Sequence, residues 1–245
     1  MKWLHYFDGF SQAVLIDVIA AILAFITWKK YRFVLGRDFF LFMLFLFLVV
    51  FTEVVGQYSA FIYLQDLDDF QFFCDYPGFL YSDWLLNIYS VMSFVMLGLY
   101  FRMQFINKKA RQLFGIVIVL FAIATTINLM VTDIFFKSFS KFTDGIGVLL
   151  LTAIITYYYY EILSTDSILK VKRSFPFIVS IACLVYYLCA TPLFLVYDLL
   201  LFEEVVLGVY YDNILTFLNI FLYGMFIFGM LTCYWFNKSL NTKFS

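Results

Sequence analysis

Seven apolar stretches divide this chain, and the charges lying between them alternate in sign from one gap to the next. Lys29, Lys30, Arg32 and Arg37 fill the first gap, and Arg102, Lys108, Lys109 and Arg111 stand at or beside the third. Lys170, Lys172 and Arg173 fill the fifth gap, and Lys238 and Lys243 lie in the tail. These thirteen of the 16 Lys and Arg residues meet only Asp38, Glu161 and Asp166 on their side. The N-terminal segment and the remaining gaps hold twelve of the 17 Asp and Glu residues against Lys2, Lys137 and Lys141. A soluble fold has no reason to sort charge by alternate connections. Bilayer insertion does, because Lys and Arg stay on the cytoplasmic side. The N-terminus is therefore expected outside and the C-terminus in the cytoplasm.

Crossing a hydrocarbon core of ~30 Å takes about 20 mostly apolar helical residues. The stretches 10–28, 39–63, 84–105, 114–136, 146–162, 177–197 and 214–236 meet that need, the fifth being the shortest. A mean hydropathy of +0.94 and only 13% charged residues fit the same class, since soluble domains carry about 25% charge. The fold expected is all-α: a polytopic seven-helix bundle over residues 1–245, read as one domain with short loops. The first stretch is expected to remain as a helix rather than be cleaved. It carries Asp17, and its bases follow the apolar run, whereas a signal peptide places them before it. Of the four cysteines, only Cys74 falls in an outer loop, with Cys189 as its one candidate partner, and no CxxC pair exists.

Polar side chains are expensive in lipid and usually face the bundle interior or a wet cavity. Here they gather toward the outer half. Asp17 shares a face with Ala13, Ala20, Ala21 and Ala24, small residues that let helices approach closely. Glu53 and Gln57 are four apart and so share a face. Asn87, Ser90 and Ser93 recur on the third helix; Thr125, Asn128 and Thr132 on the fourth; Tyr187 and Thr191 on the sixth; Asn213, Thr216, Asn219 and Tyr223 on the seventh. A rise of ~1.5 Å per residue places Asp17, Glu53, Asn128 and Asn219 about 10–15 Å below the outer surface. Six helices are thus expected to line one outward-opening chamber, with helix-to-helix hydrogen bonding as the competing use of the hydroxyls and amides. Pro192 removes a backbone hydrogen bond in the sixth helix and is a candidate hinge.

The outer loop 65–83 carries five acids and no base, together with aromatic residues that suggest a lid on the bundle. It lacks the spacing and glycine of a calcium loop. Tyr157 to Tyr160 end the fifth span and read as an interfacial aromatic belt. The basic loop 164–176, with Lys170, Lys172 and Arg173, is the expected contact for a cytoplasmic partner.

The single histidine, His5, rules out bis-histidine haem ligation in the bundle and His-rich zinc chemistry. The last span has no lysine for a retinal Schiff base. GxSxG, HExxH, P-loop and GxGxxG motifs are missing from the sequence. No catalytic residue, metal ligand, cofactor or nucleic-acid contact is assigned, and an enzyme would have to work through Asp17 and Glu53 alone.

Four stretches carry a resemblance: FTEVVGQY in the second helix, LLNIYS in the third, YYYYEILSTDSILKVKRSFPFIVSIACLVYYLCATPLF across the fifth and sixth, and NILTFLNIFLYGMFIFGM in the last. Together they resemble a group of small seven-helix membrane proteins of Bacteroidota. That group tends to have Gly where Ala182 stands. The resemblance implies a bacterial inner-membrane protein and no established activity. The function expected is a sensor or receptor-like module, or an accessory subunit of an envelope complex. A small-molecule or lipid ligand would enter from outside, and a protein partner would act in the membrane or cytoplasm. A proton-coupled carrier using Asp17 and Glu53 and a purely structural subunit are the alternatives.

Overall fold

A computed structural model describes residues 2–33, 35–58, 77–164, 174–203 and 205–235. Among them are seven long helices: α1 Lys2–Tyr31, α2 Arg37–Gly56, α3 Asp83–Met103, α4 Lys108–Val131, α5 Lys141–Ser164, α6 Phe175–Glu203 and α7 Val205–Met230. No strand occurs among the described residues. Six of the helices, α2 to α7, contain segments long and apolar enough to cross a bilayer. The chain is thus a helical, multi-pass membrane protein.

The helices close into a ring of contacts running α1, α2, α3, α5, α6, α7 and back to α1. α4 lies outside that ring, packed on α3 and more lightly on α5. Its outer face is bare apolar surface, with Leu113, Ile116, Leu120, Ile123, Ile127 and Met130 all exposed, as a lipid-facing helix requires. α1 joins its neighbours through Ala20, Ala21 and Ala24, all buried. This is the close approach that small residues permit.

The ends of the elements follow local chemistry. Asn107 caps α4, its side chain accepting the Lys109 amide at 2.9 Å. α4 stops at Val131 rather than running to 136, because Asp133 turns into the left-handed region (φ 52°). Asp tolerates that conformation better than most residues. A 3₁₀ turn at Ile134–Phe136 follows. α6 continues through Pro192 without a break in its helical assignment, and a π-helical segment, Leu231–Trp235, ends α7.

Two ends of the bundle can be told apart by their connections. The basic end carries the α1–α2, α3–α4 and α5–α6 connections; the acidic end carries the others. Near the basic end the interior is filled by rings. Phe42 packs edge-on against Phe175 and Phe226 at 5.0 and 5.1 Å and tilts on Tyr100 at 5.5 Å. Phe39 meets Tyr234 at 5.4 Å. Edge-to-face pairs of this kind add about 0.5–1.5 kcal/mol each beyond simple burial. The Tyr157–Tyr160 run belongs to this packing more than to a belt. Tyr157 rests on Phe105 and Phe114, Tyr158 is buried beside Phe101, and the Tyr159 hydroxyl lies 2.8 Å from that of Ser180. Only Tyr160 of the four is exposed.

Candidate functional site

The polar half of the bundle surrounds a cavity of about 750 Å³ near the acidic end. Its wall is drawn from α2, α3, α5, α6, α7 and the α4–α5 turn. Glu53 comes from α2, Tyr89 and Ser90 from α3, Asp144 from α5, Tyr187 from α6, and Asn219 and Tyr223 from α7. Lys137, Lys141 and Asp83 stand at its mouth, where the lysines are exposed. Phe94 forms part of the deeper wall and lies against Tyr187 at 5.1 Å. Glu53 and Phe42 are eleven residues apart on α2, about 16 Å along the axis. The aromatic layer therefore closes the interior well below the cavity.

The carboxylates are the chemically notable part. Asp17 is 1% exposed, and its Oδ1 has no hydrogen-bond partner. Asp144 is 6% exposed, lines the cavity, and has an unpartnered Oδ2. Tyr89 sits within electrostatic reach of Glu53, Asp17 and Asp144, and faces Tyr223. A buried acceptor without a donor costs about 1–3 kcal/mol, more when charged. The arrangement is therefore incomplete as a purely internal network.

The residues expected from sequence divide into three groups. Glu53, Tyr187 and Asn219 line the cavity, and Asp17 lies behind it near Glu53. Four others lie outside its wall. Gln57 donates to the Glu53 carbonyl at 3.1 Å, closing the end of its own helix. Asn87 pins the α4–α5 turn: its Nδ2 donates to the Phe135 and Ser138 carbonyls (3.1 and 2.9 Å), and its Oδ1 accepts the Ser140 amide (2.9 Å). Asn128 sits on α4, outside the ring, so its side chain does not join the cavity wall. Thr191, beside the candidate hinge Pro192, is half-buried with an unpartnered hydroxyl and is not part of the wall. The third group, Lys170, Lys172 and Arg173, lies outside the described residues, as does Cys74. Cys189 is a free, exposed thiol.

Sequence reasoning missed Asp144, Tyr89 and Tyr186. A fifth span beginning at 146 leaves Asp144 among the outer-loop acids, whereas α5 begins at Lys141. A helix started five residues earlier would have placed Asp144 on the same face as Val148, Leu151 and Ile155, all buried.

The described end of the acidic loop does lie on the bundle. Phe79 packs between Trp84 (5.5 Å) and Phe136 (5.0 Å). The Trp84 indole donates to the Tyr58 hydroxyl at 2.8 Å. Residues 59–76 lie outside the described set.

Fold and cavity together define a helical multi-pass membrane protein with a polar chamber at one end. No family model matches the chain, and no curated protein or solved structure is significantly similar to it.

Proposed function

We propose that this chain is a receptor-like module of a bacterial inner membrane, with seven spans, its N-terminus outside and its C-terminus in the cytoplasm. The chamber at the acidic end takes a small molecule or lipid head group from the outer face. A protein partner then reads its state at the basic loop 164–176, either as the output of a sensor or as the next subunit of an envelope complex. The observation that carries this reading is a 750 Å³ cavity walled by Glu53, Asp144 and Asn219 above a floor of packed rings. A purely structural subunit has no use for such a space. The resemblance to small seven-helix proteins of Bacteroidota supports the localisation.

A second reading, a proton-coupled carrier using Asp17 and Glu53, is favoured by the closeness of three carboxylates to Tyr89. Thiol labelling separates the two. Ser90→Cys and Asn219→Cys, in a background without native cysteines, should react with an impermeant maleimide in right-side-out vesicles only. Ile123→Cys, facing lipid, should stay unlabelled in both orientations. Reaction only in inverted vesicles overturns the topology. Reaction from both sides, with proton-driven uptake in proteoliposomes, replaces the receptor with the carrier.

A further inference from the structure

We propose that the chamber selects a small organic cation, a ligand with a primary or quaternary ammonium head, held between Glu53 and Asp144 and bounded by Tyr89, Tyr187 and Tyr223. This rests on the receptor reading of the same chamber and names the chemical class that it takes.

Charge distribution gives the sign. The deep wall holds Glu53 and Asp144, with Asp17 behind them, and its described residues include no base. The two lysines of the wall stand at the mouth on or next to the α4–α5 turn and are exposed to solvent. Hydrogen bonding gives the donor requirement. The Asp144 Oδ2 and the Asp17 Oδ1 are buried carboxyl oxygens without a hydrogen-bond partner, and the Ser90 hydroxyl in the same wall is also unpartnered. A primary ammonium brings N–H donors that complete this network, a quaternary one offsets only the carboxylate charge, and an anion worsens it.

Size and surface choose among cations. Among the described residues, no three His, Cys, Asp or Glu side chains come close enough together to hold a metal ion. The intervening wall is aromatic, and ring faces attract ammonium groups by about 0.5–2 kcal/mol each. A volume of about 750 Å³ falls within the roughly 300–1,000 Å³ of small-molecule pockets.

The test uses the full chain in nanodiscs, titrated calorimetrically with ethanolamine and choline, and with sodium acetate and glucose as the anionic and neutral probes. Saturable binding of an ammonium probe is expected, weakened roughly tenfold or more by Asp144→Asn and by Glu53→Gln, as loss of a charge-assisted contact implies. Asp133→Asn, on the exposed turn, should leave it unchanged. Size-exclusion profiles and unliganded melting check the fold, and Glu53→Gln carries the test if Asp144→Asn misfolds. Discs with and without phosphatidylethanolamine separate the sources: competition by that lipid identifies a head group, and indifference identifies a free amine. Ammonium binding that survives both substitutions overturns the proposal. Binding of acetate or glucose alone overturns it and leaves the receptor reading standing. No binding by any probe, with unreactive chamber cysteines, removes both.

Discussion

Adding a single methyl group at Gly147 tests how tightly the chamber wall is built. A Cβ there would meet Cδ2, Cε2 and Cγ of Phe94 at 2.3, 2.5 and 2.6 Å. Carbon atoms rest at about 3.5–4.0 Å, so the ring must retreat by about 1 Å or α5 must move away from α3. Phe94 is 2% exposed and held by Phe121 and Tyr187, with ring centroids at 6.1 and 5.1 Å. Overpacking of this kind costs about 1–3 kcal/mol. Gly145, two residues earlier on the same helix, has no atom within 4 Å of the equivalent Cβ. Both Gly→Ala changes share the same gain in helix propensity, up to about 1 kcal/mol, so their difference isolates the clash. Gly147→Ala should be less stable than Gly145→Ala by about 1–3 kcal/mol, measured as the shift in midpoint of reversible unfolding in mixed detergent micelles. Equal midpoints would refute the α3–α5 contact as described. Because Phe94 also lines the chamber, Gly147→Ala should weaken ligand binding as well, and Gly145→Ala should not.

The turn at the basic end depends on Glu161, whose carboxylate accepts the Ile106 and Asn107 amides at 2.8 and 3.0 Å. Glu161→Ala orphans both donors and should cost about 2–4 kcal/mol in the same unfolding assay; Glu161→Gln, which keeps one acceptor oxygen, should cost about half, and an unshifted Ala variant would sink the assignment. Asn87→Ala removes all three bonds that pin the α4–α5 turn. Losing even about 1 kcal/mol of local stability raises the open population roughly fivefold. Trypsin cleavage after Lys137 should accelerate by at least that factor; an unchanged rate would mean that other contacts hold the turn.

The helical membrane class and six of the spans were legible because they depend on a property that sums along the chain, apolar length. The α1 interface was legible too, since Ala20, Ala21 and Ala24 recur at helical spacing around Asp17. Site membership was less legible, because it depends on which helices are neighbours. Asn128 has the same chemistry and the same estimated depth as Asn219, yet α4 stands outside the ring and α7 within it. Nothing in the periodicity of either helix distinguishes those two fates. Asn87 illustrates a different difficulty. Its place on a polar face was readable, but its partners are backbone groups 48 to 53 residues away. Those became visible only once the α4–α5 turn was placed over the top of α3.

The high phenylalanine content, 34 residues, acquires a physical role from this geometry. In lipid there is no hydrophobic force between helices, so the interior of a helix ring must be filled by volume or closed by satisfied polar contacts. Nine of the twelve largest fully buried side chains among the described residues are Phe or Tyr. Eight of those nine, Phe94 excepted, belong to the part of the bundle nearer the basic end, where planar rings fill the space between facing helices. Toward the acidic end the chain turns to a different filling. Carboxylates, hydroxyls and tyrosines join Phe94, Phe139, Phe142 and Phe194 in the wall there, and Asp17, Asp144 and Ser90 retain unpartnered oxygens. A sequence able to fill one half of its interior with rings could have filled the other in the same way. Unpartnered oxygens occur at both ends, Tyr100 and Ser174 among them, but only at the acidic end do they border an open volume, and it is there that the proposed ligand would supply the missing contacts.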